Sequence, residues 1–328
     1  MVRGLSLVFL LHMMAMIFLV GCSKPTPRSS SDDSSSATYL YVASGMCYSG
    51  NNTTFNATSA SDLIFRINTV TGQRDTIIAD FNALPAVGAD TPVGIVDFDA
   101  NTFLVLVEGS PDRIERVEKK ANGARTSFLL DTTILTGTMR RLAVSPSTGD
   151  LIITRTNAVE RYSQTSGRRA IGGTNPWINN PGGSCATSNT NMASAIEIAN
   201  GMWAFVHAAA SQNRIGIIKN TGYSVTADCL AAQAAPNTNA FPTDMVWISS
   251  ANQLIVAYAG NATTTDLNSI YVYNVNPTTG AISSPTKIYE SANFPSPTPY
   301  LLYGISAMAY DAPNSHLYVA TAISSATT

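Results

Sequence analysis

The chain has 328 residues, of which 45% are apolar and only 12% charged, and its formal net charge is −2. That length suits a single all-β barrel or propeller with a large core. The balance gives no basic field to attract nucleic acid, and Ser, Thr, Asn and Ala fill the surface positions that Lys and Glu take in most cytosolic proteins.

The opening stretch "MVRGLSLVFLLHMMAMIFLVGCSK" carries one positive charge at Arg3, an apolar run from Leu5 to Val20, and Gly21 before Cys22. This is the pattern of a secretory leader. The run is shorter than the roughly 20 residues a spanning helix needs. Leu19-Val20-Gly21-Cys22 resembles the lipobox of bacterial lipoproteins. The resemblance implies a signal peptide over 1–21 and acyl chains on Cys22, each buried methylene contributing about 0.8 kcal/mol of membrane attachment. Ser23 rather than Asp after the cysteine implies, by the same resemblance, the outer membrane, with a periplasmic or surface-facing domain. The expected address is therefore the bacterial cell envelope. From 22 to 38 the polar string "SKPTPRSSSDDSSSAT" follows the lipidated cysteine and reads as a disordered tether, because it cannot bury enough surface to offset the entropy of ordering.

From residue 39 the chain repeats itself. Hairpin patterns occur at 63–78, 113–130, 158–171, 214–227 and 270–288, each a strand running into a polar cluster that contains Gly72, Gly123, Gly167, Gly222 or Gly280. The glycines supply the φ > 0 position that closes such a turn. They recur at intervals of 51, 44, 55 and 58 residues. A second hairpin precedes each copy after the first, and another follows the last, with continuous apolar runs such as "FLVLV" and "LIVAY" that signal burial on both faces. Four strands per repeat of about 50 residues is the grammar of a β-propeller blade. A β-sandwich would not repeat one four-strand unit at this interval.

The string "YVYNVNPTTGAIS", with "NTVTGQ" at 68–73, resembles the blades of lactonase-type surface propellers. The resemblance covers about one hairpin per blade and marks the blade, not its chemistry. The expected fold is thus all-β, a propeller of four-stranded antiparallel blades over 39–328. Five outer hairpins are recognisable. The first blade shows no innermost strand and the last no outer pair, so the reading is an incomplete six- or seven-bladed ring lacking its last strands.

Antiparallel order sends the short turns to one face and the long loops to the other. The long loops carry Trp177, Tyr300 and Tyr303, and form the expected ligand face because binding residues concentrate on loops held by a rigid scaffold. The innermost strands begin near Gly94, Arg140, Ser194, Asp244 and Gly304. Calcium in a propeller channel needs six to eight converging oxygens, and Asp244 is the one carboxylate at these positions, so neither a metal nor another cofactor is expected. Arg140 or Arg141 could meet an anion, but adjacent strand residues point opposite ways. His207 and His316 lie on strands and are expected to pack rather than to catalyse. No catalytic residue is assigned. An exported protein can form disulfides, and Cys185 with Cys229, the latter expected at the end of its strand so that both fall on the long-loop face, is the preferred pair, leaving Cys47 free, although three cysteines beyond Cys22 permit three pairings.

The leading expectation is an envelope lipoprotein, held to the membrane by lipid on Cys22, whose propeller binds a protein, peptide or glycan partner through its long-loop face. The alternative is a propeller-type hydrolase or lactonase.

Overall fold

The computed structural model describes residues 18–20, 25–29, 38–44, 62–81, 90–109, 112–129, 139–155, 158–163, 185, 192–207, 213–220, 228–236, 241–259, 268–290 and 300–325. Apart from short turns these residues form strands. Two short strands come first, β1 (Phe18–Val20) and β2 (Pro25–Ser29). Five antiparallel sheets of three or four strands follow one another as propeller blades. Blade 1 is β2 with β3 (Thr38–Ser44), β4 (Leu63–Asn68) and β5 (Arg74–Asp80). Blade 2 is β6 (Thr91–Asp97), β7 (Thr102–Glu108), β8 (Arg113–Glu118) and β9 (Arg125–Leu129). In blade 3 the described strands are β10 (Met139–Val144), β11 (Leu151–Arg155) and β12 (Ala158–Tyr162). Blade 4 holds β13 (Met192–Ala199), β14 (Met202–His207), β15 (Arg214–Lys219) and β16 (Asp228–Ala234). Blade 5 holds β17 (Phe241–Ile248), β18 (Gln253–Ala259), β19 (Ser269–Asn274) and β20 (Thr286–Glu290). A sixth sheet pairs β21 (Tyr300–Asp311) with β22 (His316–Ser325), and β1 joins the outer edge of β22 in parallel.

The core lies in the seams between sheets, because each blade offers an apolar face to both neighbours. The second strands are buried on both faces, as their continuous apolar runs require: Phe103 to Val107 and Leu254 to Tyr258 are all 0% exposed. Six apolar clusters map onto six seams. Between blade 1 and blade 2 lie Tyr41, Ile78, Phe103 and Val105; between blade 4 and blade 5 lie Val206, Ile217, Met245 and Val256. The smallest cluster, Leu40, Val42, Ile67 and Tyr318, joins the sixth sheet to blade 1.

Two expectations need correction. Part of the stretch read as tether, Pro25–Ser29, runs antiparallel to β3 and supplies the innermost strand that the sequence reading denied to the first blade. Ladder pairing is made by the backbone, so a polar segment can complete a sheet whose other strands provide the apolar burial. The return strand expected by 227 in the fourth hairpin begins instead at Asp228. Gly167, Gly222, Cys22, Cys47 and Trp177 lie outside the described residues.

The turns follow a common device. Asn68 Oδ1 accepts from the backbone N–H groups of Val70 and Thr71, and Asn276 Oδ1 accepts from those of Thr278 and Thr279. Such Asx turns replace strand pairing where the chain reverses. Gly72 and Gly280 then take φ of 69° and 75°, as the repeat predicts. In blade 2 the positive φ falls on Asn122 instead, and Gly123 is required because a Cβ there would meet the Glu118 carbonyl oxygen at 2.2 Å.

Candidate functional site

The innermost strands share a local irregularity that builds the axis of the propeller. A β-bulge breaks register between Pro92 and Gly94, Met139 and Arg141, Met192 and Ser194, and Pro242 and Asp244. A bulge re-aims the residue that follows it. Gly94, Arg141, Ser194 and Asp244 therefore hold equivalent places on four neighbouring inner strands. Three of these positions match those expected from the strand starts, and the fourth is displaced by one residue, from Arg140 to Arg141. Counting along a regular strand cannot foresee the extra bulged residue.

Arg141, Ser194 and Asp244 come together in one polar knot. Arg141 forms an ion pair with Asp244 and also donates from Nη1 to Ser194 Oγ at 2.7 Å and to the Met245 carbonyl at 2.8 Å. Ser194 Oγ in turn donates to Asp244 Oδ1 at 3.2 Å, and the Met308 N–H donates to Asp244 Oδ2 at 2.8 Å. The side chain of Asp244 is 1% exposed and that of Arg141 14%. Burial lowers the Arg141 guanidinium to about 10, still cationic at neutral pH. The knot joins blades 3, 4 and 5 to β21, and it uses both Asp244 oxygens on protein donors. Among the described residues no group of three or more Asp, Glu, His or Cys side chains converges to hold a metal.

Arg140 faces elsewhere. It is exposed, and its charge acts on Glu108 at the long-loop end of the seam between blades 2 and 3. Glu108 accepts from the Met139 N–H; burial and the neighbouring Asp112 raise its carboxyl above the usual range, while Arg140 and Arg155 oppose that rise. Beneath them Arg155 donates to Glu160 at 2.7 Å and to Asp112 at 3.1 Å, and the Tyr162 hydroxyl donates to Glu160 at 2.7 Å. This charged rim was not singled out from the sequence. Its acidic and basic members lie on five strands or strand ends, and only the packing of β7 and β8 against β10, β11 and β12 across the seam collects them.

Tyr300 and Tyr303, expected on a long loop, lie instead in the first part of β21, because the strand begins at Tyr300 and not near Gly304. His207 is buried, edge-on to Phe205, and burial lowers it to about 4. It is a packed neutral imidazole, as expected. The preferred disulfide forms: Cys185 and Cys229 are bonded, with Cα atoms 5.7 Å apart. Its location differs from the expectation. Cys229 opens β16 beside Ile218, near the short-turn end, instead of closing the strand at the long-loop face. Strand direction decides this, because β16 begins after the 220–227 connection and not before it. Cys185 packs in the seam between blades 3 and 4, against Ile152, Val159, Trp203 and Ile218.

No protein-family model matches the sequence, and no curated protein matches it. Solved structures do resemble the fold. The PQQ-bound aldose sugar dehydrogenase of Streptomyces coelicolor aligns with TM-score 0.55 at 14% identity, over 87% of this chain and 89% of its own. A functionally unknown protein of Desulfotomaculum acetoxidans aligns with TM-score 0.52 at 15% identity, over 92% and 80%. A protein of Bacteroides uniformis proposed to be a 6-phosphogluconolactonase aligns with TM-score 0.50 at 12% identity, over 90% and 83%. At such low identity these likenesses extend to architecture and no further: the chain is an all-β propeller.

Proposed function

We propose that this protein is an envelope lipoprotein, anchored through lipid on Cys22, whose propeller acts as a binding scaffold for a protein, peptide or glycan partner on its long-loop face. The observation that carries the reading is the axial knot. Arg141, Ser194 and Asp244 spend their hydrogen bonds on one another and on the backbone, so the axis works as a brace and the rim is left to meet a partner. Glu108 and Arg140, half-buried and exposed at that rim, offer paired acceptor and donor groups suited to hydroxyls or peptide amides. The leader and lipobox supply the address. Screening the purified chain on glycan and peptide arrays should give a saturable ligand, and Arg140→Ala should weaken it about tenfold, the value of one charged hydrogen bond. Equal binding by the variant would remove this face from consideration. Cys22→Ala should release the protein from membranes without changing that affinity.

A second reading, a hydrolase or lactonase, is favoured by one observation, the raised carboxyl of Glu108 beside Asp112. A carboxyl that holds its proton more tightly than usual is suited to general acid chemistry. Lactone turnover abolished by Glu108→Gln, with ligand affinity retained, would select this reading over the scaffold.

A further inference from the structure

The arginines of blade 2 divide by the face of the sheet they occupy. Arg113 and Arg125 both end on Glu115, and Arg113 also pairs with Asp90. Arg116, on the opposite face of β8, points with Ile114 into the seam between blades 2 and 3. There its guanidinium lies between two phenyl rings, 4.7 Å from the Phe98 centroid and 5.4 Å from that of Phe128. Cation–π attraction to both rings holds it in place. Local structure sets both rings. Phe98 opens the turn between β6 and β7, its N–H donating to the Thr102 carbonyl. A bulge makes Phe128 the extra residue between Ser127, opposite Glu115, and Leu129, opposite Ile114.

This cation has no acceptor among the described residues. Its Nε is buried without a hydrogen-bond partner, so Nη1 and Nη2 form the open end of the fork. The carboxylates nearby are spent on other donors. Asp99 accepts from the N–H groups of Asn101 and Thr102 and from the Thr102 hydroxyl; Asp97 pairs with Lys119; Glu118 pairs with Lys120 and accepts from the Ala124 N–H. Residues 161–196, which run from β12 of blade 3 to β13 of blade 4, contain no Asp or Glu. Directly opposite Arg116 in the ladder with β9 stands Thr126, exposed, with its hydroxyl on the same face.

We propose that the Arg116 fork, with Thr126 beside it and Phe98 and Phe128 fixing its plane, is a binding site for a small hydroxylated monocarboxylate. The two Nη groups match the two oxygens of a carboxylate, and the Thr126 hydroxyl meets a hydroxyl of the ligand. Because the rings already hold the guanidinium, little side-chain freedom is lost on binding. A single negative charge is favoured over a dianion because Asp99 lies within electrostatic reach of Arg116 and Glu118 follows it by two residues on the same face. The site is distinct from the Glu108 rim at the long-loop end of the same seam and does not depend on the function proposed for that rim.

The probes are glucuronate, glucose and glucose 6-phosphate, which share a ring and differ in charge. In proton–nitrogen spectra of the full chain the buried Arg116 Nε–H should give a signal, identified by its loss in Arg116→Met. Glucuronate should shift it saturably and glucose should leave it in place. Followed at the Thr126 amide, glucuronate binding should weaken at least tenfold in Arg116→Met, whose unbranched side chain still fills the space between the rings. Thr126→Val should weaken it about threefold. Unchanged affinity in an Arg116→Met chain of unaltered unfolding temperature, or an Nε–H indifferent to glucuronate, would overturn the proposal. Tighter binding of glucose 6-phosphate would overturn the assignment to a single carboxylate. Binding that appears only after Asp131→Ala, a substitution outside the described residues, would overturn it by assigning the fork to the chain's own carboxylate.

Discussion

The seam between blades 1 and 2 and the seam between blades 3 and 4 solve the same packing problem with different chemistry. The first is apolar: Tyr41, Ala43, Ile64, Ile78, Phe103, Val105 and Val107 interlock, with Arg125 laid over Phe81 at its margin, 3.8 Å from the ring centroid. Both of its blades hold four strands. The second seam joins a blade with three described strands to a complete one. There Glu197 of β13 accepts from the hydroxyls of Ser145 and Ser147 in the turn of blade 3, Arg141 reaches Ser194, and the Cys185–Cys229 bond runs through the apolar contacts. In the first seam apolar interdigitation is joined by backbone hydrogen bonds from Asn122 and Gly123 to the Ile77 and Ile78 carbonyls. In the second seam directional bonds and a covalent tie are added to the apolar contacts.

Breaking the axial brace should show the largest difference between these seams. Asp244→Ala leaves the Arg141 cation buried without its carboxylate, a change that costs about 3–5 kcal/mol in stability. Thermal unfolding should register it as a large fall in Tm, partly recovered in the double variant with Arg141→Met. A single variant as stable as the unaltered protein would show that the brace does not hold the inner strands together.

Next in size is the disulfide. Cys185 and Cys229 are 44 residues apart in sequence, and closing a loop of that length constrains the unfolded chain by about 4 kcal/mol on the entropy model. Reduction should lower the denaturation midpoint by a corresponding amount. Hydrogen exchange should rise first along β12 and β16 and last along β7. Uniform loss of protection would mean that the tie acts on the whole ring and not on this seam.

The smallest effect is a pH dependence confined to the same seam. His207, on the Phe205 face of β14, has a folded pKa of about 4 against an ordinary 6.5, lowered first by burial and then by Arg214. A base whose folded pKa is depressed costs nothing above pH 6.5, where it is neutral in both states. Between pH 6.5 and 4 only the unfolded chain takes the proton, so stability falls as pH falls, by up to about 3 kcal/mol. His207→Gln should flatten that part of the stability curve. A curve of unchanged slope would place the titration elsewhere.

Much of the scaffold was legible because its signals are local. "FLVLV" and "LIVAY" are buried throughout, and the Asn and Gly residues of 68–72 and 276–280 make the turns that their spacing announces. The candidate site was less so. Asp244 and Ser194 were placed at the axis by counting strand starts, whereas the choice between Arg140 and Arg141 stayed open because a bulge shifts the count by one. The Glu108 rim depends on which sheets become neighbours, and no run of residues states that.

By itself, then, the sequence determined most of the strands and the order of the hairpins, because apolar periodicity and turn chemistry act over a few residues, whereas it left three pairings open for the cysteines, with only a preference for Cys185 with Cys229. The tertiary structure decided that Pro25–Ser29 completes the first blade, that Asp244 is spent on Arg141, and that Cys185 is bonded to Cys229. These follow from the ring bringing distant strands side by side, where a group's chemistry is set by its neighbours across a seam.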